Sequence, residues 1–429
     1  MNKLILYSRL LKYFISLYYW DLASEDKVRR MQLRKFRQIF DYARKRSKFY
    51  REFYGDHGVL DLEIKTHDDI KKVPIITKTD LRKAGLPKVA TVKNINNFTI
   101  HSTSGSTGIP LQIVYNPFED YTAHLRVLFY LLKAGYKATS TIYMVARYDE
   151  NSKFEIEQRL GLIQKFQSLL KLFQRRIISI YTDPKEIVDI LLNEQPQIFW
   201  GTPSIMQLIT NELIKRDKKL KIPLILYTSE TVFENQEKLF KQYLGKKIVN
   251  IYGCMESPSA SFDINLSGKM NVFTNSTYFE YIESGDSNEK YLKTPIITNL
   301  LNFTTPIVRY NVGDLVDTRD CNYKSMGRIY GRVDDIIDLK NGKSLTHHHA
   351  HSMFMSFIEC EQWKLIQNNG ALILQLNLFN NMDELEAIKK AKSIWNKRYP
   401  DVRLRVEIVK KFKLNEKSGK FKNIEIIKG

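Results

Sequence analysis

Apolar and polar positions change period several times along the chain, and those changes divide it. Between residues 24 and 54, Met31, Leu33, Phe36, Ile39, Phe40 and Tyr42 recur mostly at spacings of three and four. This predicts a long, heavily basic helix packing one face, with Ser24 as its cap. Residues 1–20 carry Leu4, Ile5, Leu6, Leu10, Leu11, Phe14, Ile15 and Leu17, interrupted by Lys3, Arg9 and Lys12. That stretch is too short and too charged for a spanning helix and has no small-residue cleavage site. It predicts an amphipathic helix docked on the body, with peripheral contact to a membrane surface as the lesser alternative. Residues 72–81 read as a short connection in which Thr79 or Asp80 begins a helix.

Farther on, strand and helix periods alternate. Leu111, Ile113 and Tyr115 mark a strand, and Asn116, Pro117 and Glu119 form an N-cap, N1 proline and capping-box acid for a helix running to Gly135. Strands are expected at 141–147, 177–181, 197–200, 223–228 and 247–252, and helices at 154–173, 184–194, 204–215 and 233–243. Such alternation predicts an α/β fold with a mainly parallel sheet covered by helices on both faces. From Gly268 the pattern turns to short strands and turns, a β-rich subdomain. Gly342 introduces a small α+β region with a helix near 350–358, a hairpin at 368–370, a helix at 382–398 and a strand at 403–409.

Composition narrows this picture only a little. The 429 residues, 43% of them hydrophobic, suffice for a large core and more than one domain. A net charge of +20 is spread along the chain without long blocks, and no compact basic motif interleaved with aromatics suggests nucleic acid. Cys254, Cys321 and Cys360 share no CxxC spacing, so neither a disulfide framework nor a zinc knuckle is indicated, and a reducing cytoplasm fits.

Candidate chemistry begins at Thr103-Ser104-Gly105-Ser106-Thr107-Gly108, six small residues that cannot pack a core. They suit a loop whose glycines, amides and hydroxyls converge on a phosphate; the alternative is a plain turn between strands. Neither GxxxxGK[ST] nor GxGxxG is present, so the phosphate chemistry is of another type. Polar clusters at 201–204, 229–230 and 253–256 each follow a predicted strand, which places one shared pocket at the carboxyl edge of the sheet. Trp200, Tyr227 and Met255 are expected as its walls, suited to a small or aromatic acid. His347, His348, His349 and His351 either bind metal or begin a surface helix, and no carboxylate or thiol stands at useful spacing beside them.

Taken in order, these clusters resemble the adenylate-forming superfamily of acyl-CoA synthetases and adenylation domains, in particular phenylacetate-CoA ligases and the CapK-like proteins of capsular polysaccharide clusters. Residues 103–110 are similar to its phosphate loop, Tyr252-Gly253-Cys254-Met255-Glu256 to its aromatic-Gly-x-x-Glu motif, and Pro306 to Asp314 to its ribose-binding segment. Gly331 to Asp335 resemble its hinge motif, Ser418 to Phe421 its terminal Gly-Lys signature, and Lys48 to Phe53 with Pro74 to Leu81 the amino-terminal part of the CapK group. Leu111 stands where many relatives carry lysine, a departure shared by phenylacetate ligases, and 257–263 lacks the cysteine that some relatives use for metal.

The resemblance implies ATP- and Mg²⁺-dependent activation of a small carboxylic acid to an acyl-adenylate, then transfer to coenzyme A or to another thiol, amine or hydroxyl acceptor. It implies that Thr103 to Gly108 hold the departing phosphates, Glu256 holds Mg²⁺, Asp314 and Arg332 hold the ribose, Tyr252 beside Gly253 meets adenine, and Lys420 meets the α-phosphate. It also implies a large domain of residues 1–333, its first 80 a helical extension, and a small mobile domain of 334–429 rotating about Asp334. The alternative is a catalytically silent relative acting as a basic membrane-surface or nucleic-acid-binding protein, against which Lys420, Asp314 and Glu256 speak.

Overall fold

The computed structural model describes residues 3–95, 98–102, 111–137, 139–146, 175–264, 267–284, 289–339, 343–355, 360–379, 382–412 and 421–427. Helices α1 (Lys3–Leu22), α2 (Glu25–Arg46), α3 (Lys48–Asp56), α4 (His67–Lys72), α5 (Lys78–Ala84) and α6 (Leu86–Val89) come first. The helix expected from 24 to 54 is divided into α2 and α3. Ser47 takes extended backbone and its hydroxyl accepts from the Tyr50 amide, so a new helix starts there. Thr66 with Asp69 and Thr77 with Asp80 form capping boxes for α4 and α5. Consequently α5 starts earlier than expected, with Asp80 as the acid of the box rather than the cap.

These helices do not form a separate layer. Phe36, Ile39, Phe40, Tyr50 and Tyr54 share one core with Ile297, Ile307, Val308 and Tyr310, far along the chain. The Tyr50 hydroxyl donates to the Pro306 carbonyl at 2.9 Å and accepts from the Val308 amide at 3.1 Å. Arg309, buried and at φ 48°, pairs with Glu280 at 3.0 Å and donates to the carbonyls of Lys71 and Val73.

A hairpin of β1 (Thr99–Ser102) and β2 (Gln112–Tyr115) leads into α7 (Pro117–Lys133), capped by Asn116 and Glu119 as expected. There follow β3 (Ile142–Ala146), β4 (Arg175–Ser179), α8 (Pro184–Glu194), β5 (Ile198–Gly201), α9 (Pro203–Lys215), β6 (Leu224–Thr228), α10 (Glu234–Tyr243) and β7 (Ile248–Cys254). The helix expected at 154–173 lies outside the described residues. Strands β8 (Ser257–Ile264), β9 (Met270–Val272) and, later, β14 (Ser325–Met326) complete a sheet of order β14-β9-β8-β7-β6-β5-β3-β4. It is parallel from β4 to β7 and antiparallel beyond, so the sheet is mixed on the side of β8. Helices α8, α9 and α10 bury Ile187, Leu191, Met206, Ile209 and Phe240 on one face, and α7 buries Val127, Tyr130 and Leu131 on the other.

A second sheet joins β10 (Thr277–Glu283), β11 (Leu292–Asn299), β13 (Asp314–Asp317) and β15 (Ile329–Arg332) in that order, with β12 (Tyr310–Asn311) beside β11. After a 3₁₀ turn at Val333–Asp335 come the pair β16 (Ile337–Asp338) and β17 (Ser344–Leu345), then α11 (His347–Met355), β18 (Cys360–Asn368), β19 (Ala371–Leu378), α12 (Glu384–Arg398), β20 (Leu404–Ile408) and β21 (Ile424–Ile427). The last sheet has the order β20-β19-β18-β21 and a core of its own around Phe354, Trp363 and Trp395. Asn369 and Gly370, both at positive φ, close the β18–β19 hairpin, which only glycine and asparagine-like residues do at low cost.

Glu119 joins α7 to the segment before β12. Its buried carboxylate accepts from the amides of Asn116, Phe303 and Thr304 at 2.8, 2.9 and 3.1 Å. Replacing it with alanine leaves three amides without their acceptor, that of Thr304 buried and those of Asn116 and Phe303 partly so, and Glu119→Ala is expected to lower stability by about 2–4 kcal/mol. Urea unfolding with an unchanged slope is the check.

Candidate active site

At the end of β7 the chain reverses sharply into β8 through a bulge between Tyr252 and Cys254. A Cβ on Gly253 would lie 2.6 Å from the Ser259 amide nitrogen and 2.9 Å from the Ser257 carbonyl oxygen, so only glycine lets the two strands approach this closely. The turn presents Glu256, which is buried and held from three sides. Its Oε1 accepts from the Tyr310 hydroxyl at 2.6 Å, its carbonyl accepts from Asn299 Nδ2 at 2.9 Å, and the neighbouring Met255 carbonyl accepts from the Tyr115 hydroxyl at 2.6 Å.

Beside it, Asp314 opens β13 directly after Gly313, which sits at φ 77°. The Tyr252 hydroxyl donates to Asp314 Oδ2 at 2.8 Å. Arg332 faces Asp314 across the β13–β15 pair, its Nε 3.9 Å from Oδ1, and donates from Nη2 to the Val312 carbonyl. Burial pushes the Asp314 carboxyl pKa up, while Arg332 and Tyr252 pull it back. Burial, with Glu256 nearby, also pushes the Cys254 thiol up, so it stays protonated. The ring of Tyr252 packs with Met270, Val316 and Met326, leaving its hydroxyl as the group turned to the site.

Tyr252, Gly253, Glu256, Asp314 and Arg332, distant in sequence, therefore meet at the carboxyl edge of the parallel strands. Asp334 is exposed on the Val333–Asp335 turn linking β15 to β16, and Lys422, just before β21, pairs with the adjoining Asp335 at 2.9 Å. Thr103, Ser104, Gly105, Ser106, Thr107, Gly108 and Lys420 lie outside the described residues. The strands flanking the first six are in register, Ser102 opposite Gln112, and His101 Nε2 lies 2.9 Å from Asp120 on α7.

Two site residues escaped the sequence reading. Tyr310 holds Glu256, and its signal was only its place in the segment ending at Asp314. Lys78, half-buried at the start of α5, has its pKa lowered by burial and by Arg82, and it feels the charges of Glu256, Arg332 and Asp334. The parallel bridge between Ile76 and Tyr310 brings it there, a contact across more than two hundred residues that no local pattern announces.

Two expectations change. Trp200 and Tyr227 are not walls of one pocket: Trp200 packs on the α7 face and Tyr227 among α8–α10, because the register pairs Trp200 with Leu226 and alternate residues face opposite sides. Nor does the histidine run lie freely on the surface: it begins α11, with His347, His348 and His349 half-buried and His351 turned inward. His351 is buried and stacks on Phe233 at 3.6 Å; its Nδ1 accepts from Trp363 Nε1 at 3.2 Å and its Nε2 lies 3.0 Å from Asn235 Oδ1. Of the expected clusters, Ser204 donates to Glu230 from both amide and hydroxyl, at 2.8 and 2.5 Å, which joins the first two.

Among the described residues no three His, Cys, Asp or Glu side chains group to cage a metal. The buried carboxylate of Glu256 suits Mg²⁺, which takes one or two protein oxygens and completes its shell with phosphates and water.

No family model matches the chain. Over 385 residues it is 24% identical to Protein CapK of Staphylococcus aureus, covering 84% of this chain and 81% of that one. Over 336 residues it is 23% identical to a phenylacetate-coenzyme A ligase of Thermus thermophilus, covering 75% and 74%. In fold it matches a 2-hydroxyisobutyryl-CoA ligase solved in the postadenylation state with R3-HIB-AMP, with a TM-score of 0.72, 16% identity, and 95% and 90% of the two chains covered.

The crowding at Gly253 sets a test of the site's framework. Gly253→Ala is expected to cost about 1–3 kcal/mol by forcing β7 and β8 apart. Thermal unfolding measures the loss, and near-UV dichroism should report a changed environment for Tyr252.

Proposed function

We propose that this chain, a member of the adenylate-forming superfamily in its phenylacetate-CoA ligase and CapK-like group, uses ATP to convert a small carboxylic acid into an acyl-adenylate and pyrophosphate and then passes the acyl group to coenzyme A. The observation that carries this reading is the meeting of Tyr252–Asp314–Arg332 with Tyr310–Glu256 on one sheet edge.

The acid's carboxylate must approach the α-phosphorus of ATP, and repulsion between two anions is the main barrier. Asp314, oriented by the Tyr252 hydroxyl, accepts from the ribose hydroxyls, and Arg332 lies alongside at the ribose or phosphate end. Tyr310 orients Glu256 through Oε1, and this carboxylate would be the protein's ligand to Mg²⁺, which when bound neutralises phosphate charge. The hydroxyls of Thr103, Ser104, Ser106 and Thr107 and the amides around Gly105 and Gly108 hold the departing phosphates. Lys78 and Lys420 supply positive charge from opposite ends of the chain. Residues 334–429 act as a small mobile domain turning about Asp334, so that one site adenylates the acid and then admits the acceptor. The similarity to CapK favours a second reading, in which an amine or hydroxyl of a surface-polysaccharide precursor takes the acyl group in place of coenzyme A.

Pyrophosphate exchange across a panel of carboxylic acids, with and without coenzyme A, tests the proposal. Exchange with at least one acid is expected; none, in protein that binds ATP, would falsify it. Lys420→Ala is expected to lose about 10²- to 10³-fold in exchange with ATP binding retained, and Lys78→Ala a smaller factor. Asp334→Pro is expected to spare exchange while slowing thioester formation. Equal loss of both half-reactions would remove Asp334 from the hinge.

A further inference from the structure

Eight of the eleven large hydrophobic side chains exposed among the described residues lie on one helix, α1. Leu11, Ile15 and Leu22 are 61%, 59% and 84% exposed and recur at spacings of four and seven, so they form one stripe along the helix, while Tyr18 at its edge turns its ring onto Phe129. The opposite face is firmly seated. Tyr13 and Leu17 pack on Phe129, the Tyr13 hydroxyl accepts from Arg126 at 3.0 Å, and Asp21 pairs with Lys133 at 2.6 Å. The exposed stripe is therefore not left over from a helix that fails to dock.

The next helix supplies the complementary feature. On α2, Lys27, Arg30, Arg34 and Arg37 are exposed and recur at spacings of three, four and three, a basic stripe. The two helices turn their inner faces to the same short segment. Asn275 donates to Ser16 of α1, while Gln32 and Lys35 of α2 donate to the carbonyls of Thr274 and Asn275. Each outer stripe therefore looks away from that segment. No helix among the described residues is long and apolar enough to cross a membrane.

We propose that α1 and α2 form an in-plane docking element for an anionic lipid bilayer, with the apolar stripe of α1 entering the headgroup–acyl boundary and the basic stripe of α2 contacting lipid phosphates. A second copy of the chain fits this face less well. With a net charge of +20, self-association would bring Lys12 and the α2 stripes toward their own equivalents, and an anionic surface turns the same repulsion into attraction.

The intact 429-residue chain is sedimented with vesicles of phosphatidylcholine alone and of phosphatidylcholine mixed with phosphatidylglycerol. Binding is expected to the mixed vesicles, to weaken with salt, and to fall by about fivefold for each α2 charge removed in Lys27→Gln, Arg30→Gln and Arg34→Gln. The double variant Leu11→Glu, Ile15→Glu is expected to lose binding while keeping the unfolding midpoint of the parent, since both side chains are exposed. Binding that persists in that variant, or no sedimentation with either vesicle, overturns the proposal. So does a concentration-dependent dimer, seen by light scattering without lipid, that the same variant dissolves, because the stripe then belongs to a second copy.

Discussion

A buried guanidinium holds the molecule together. Arg309 sits in the core at φ 48°, a conformation that a non-glycine residue keeps only when its surroundings enforce it. Its charge is compensated by Glu280 on β10 and by carbonyls of Lys71 and Val73 at the end of α4, and its amide donates to the Thr298 hydroxyl. A charge out of water demands such partners, and meeting that demand ties the amino-terminal helices to the second sheet. Tyr310 follows immediately, so the geometry that satisfies Arg309 also aims the phenol that holds Glu256.

The site inherits its form from this joint. Glu256 arrives on the β7–β8 turn, Tyr310 and Asp314 on the segment after Arg309, Arg332 from β15 and Lys78 from α5. Each carboxylate already has a tyrosine hydroxyl as one partner, which fixes its orientation. Opposed charges lie within reach of one another on a half-buried edge, an arrangement suited to receiving a polyanion and a hard cation together.

The amino-terminal helices serve two surfaces at once. The inner faces of α2 and α3 complete the core behind the site, and the outer faces of α1 and α2 carry an apolar and a basic stripe. Helical periodicity permits this because residues three or four apart share a face, so one sequence can meet two different demands.

Much of the architecture was legible in the sequence because its causes are local. Asn116 with Glu119, Asp183 with Pro184 and the Asn369–Gly370 turn start or end elements by contacts within a few residues, and the strands β3 to β7 follow from runs of apolar residues bounded by turns. The meeting of Tyr252, Glu256, Asp314 and Arg332 was readable only as an ordered set of motifs. Other features belonged to the tertiary structure alone. The antiparallel side of the main sheet depends on where β8 and β9 return, and the opposite facing of Trp200 and Tyr227 on strand register. Lys78 joins the site, and His351 of α11 turns inward, through contacts made across many tens of residues or more. Local chemistry decides where the elements begin and end; which distant side chains share a dielectric and a hydrogen bond is decided only when the chain closes on itself.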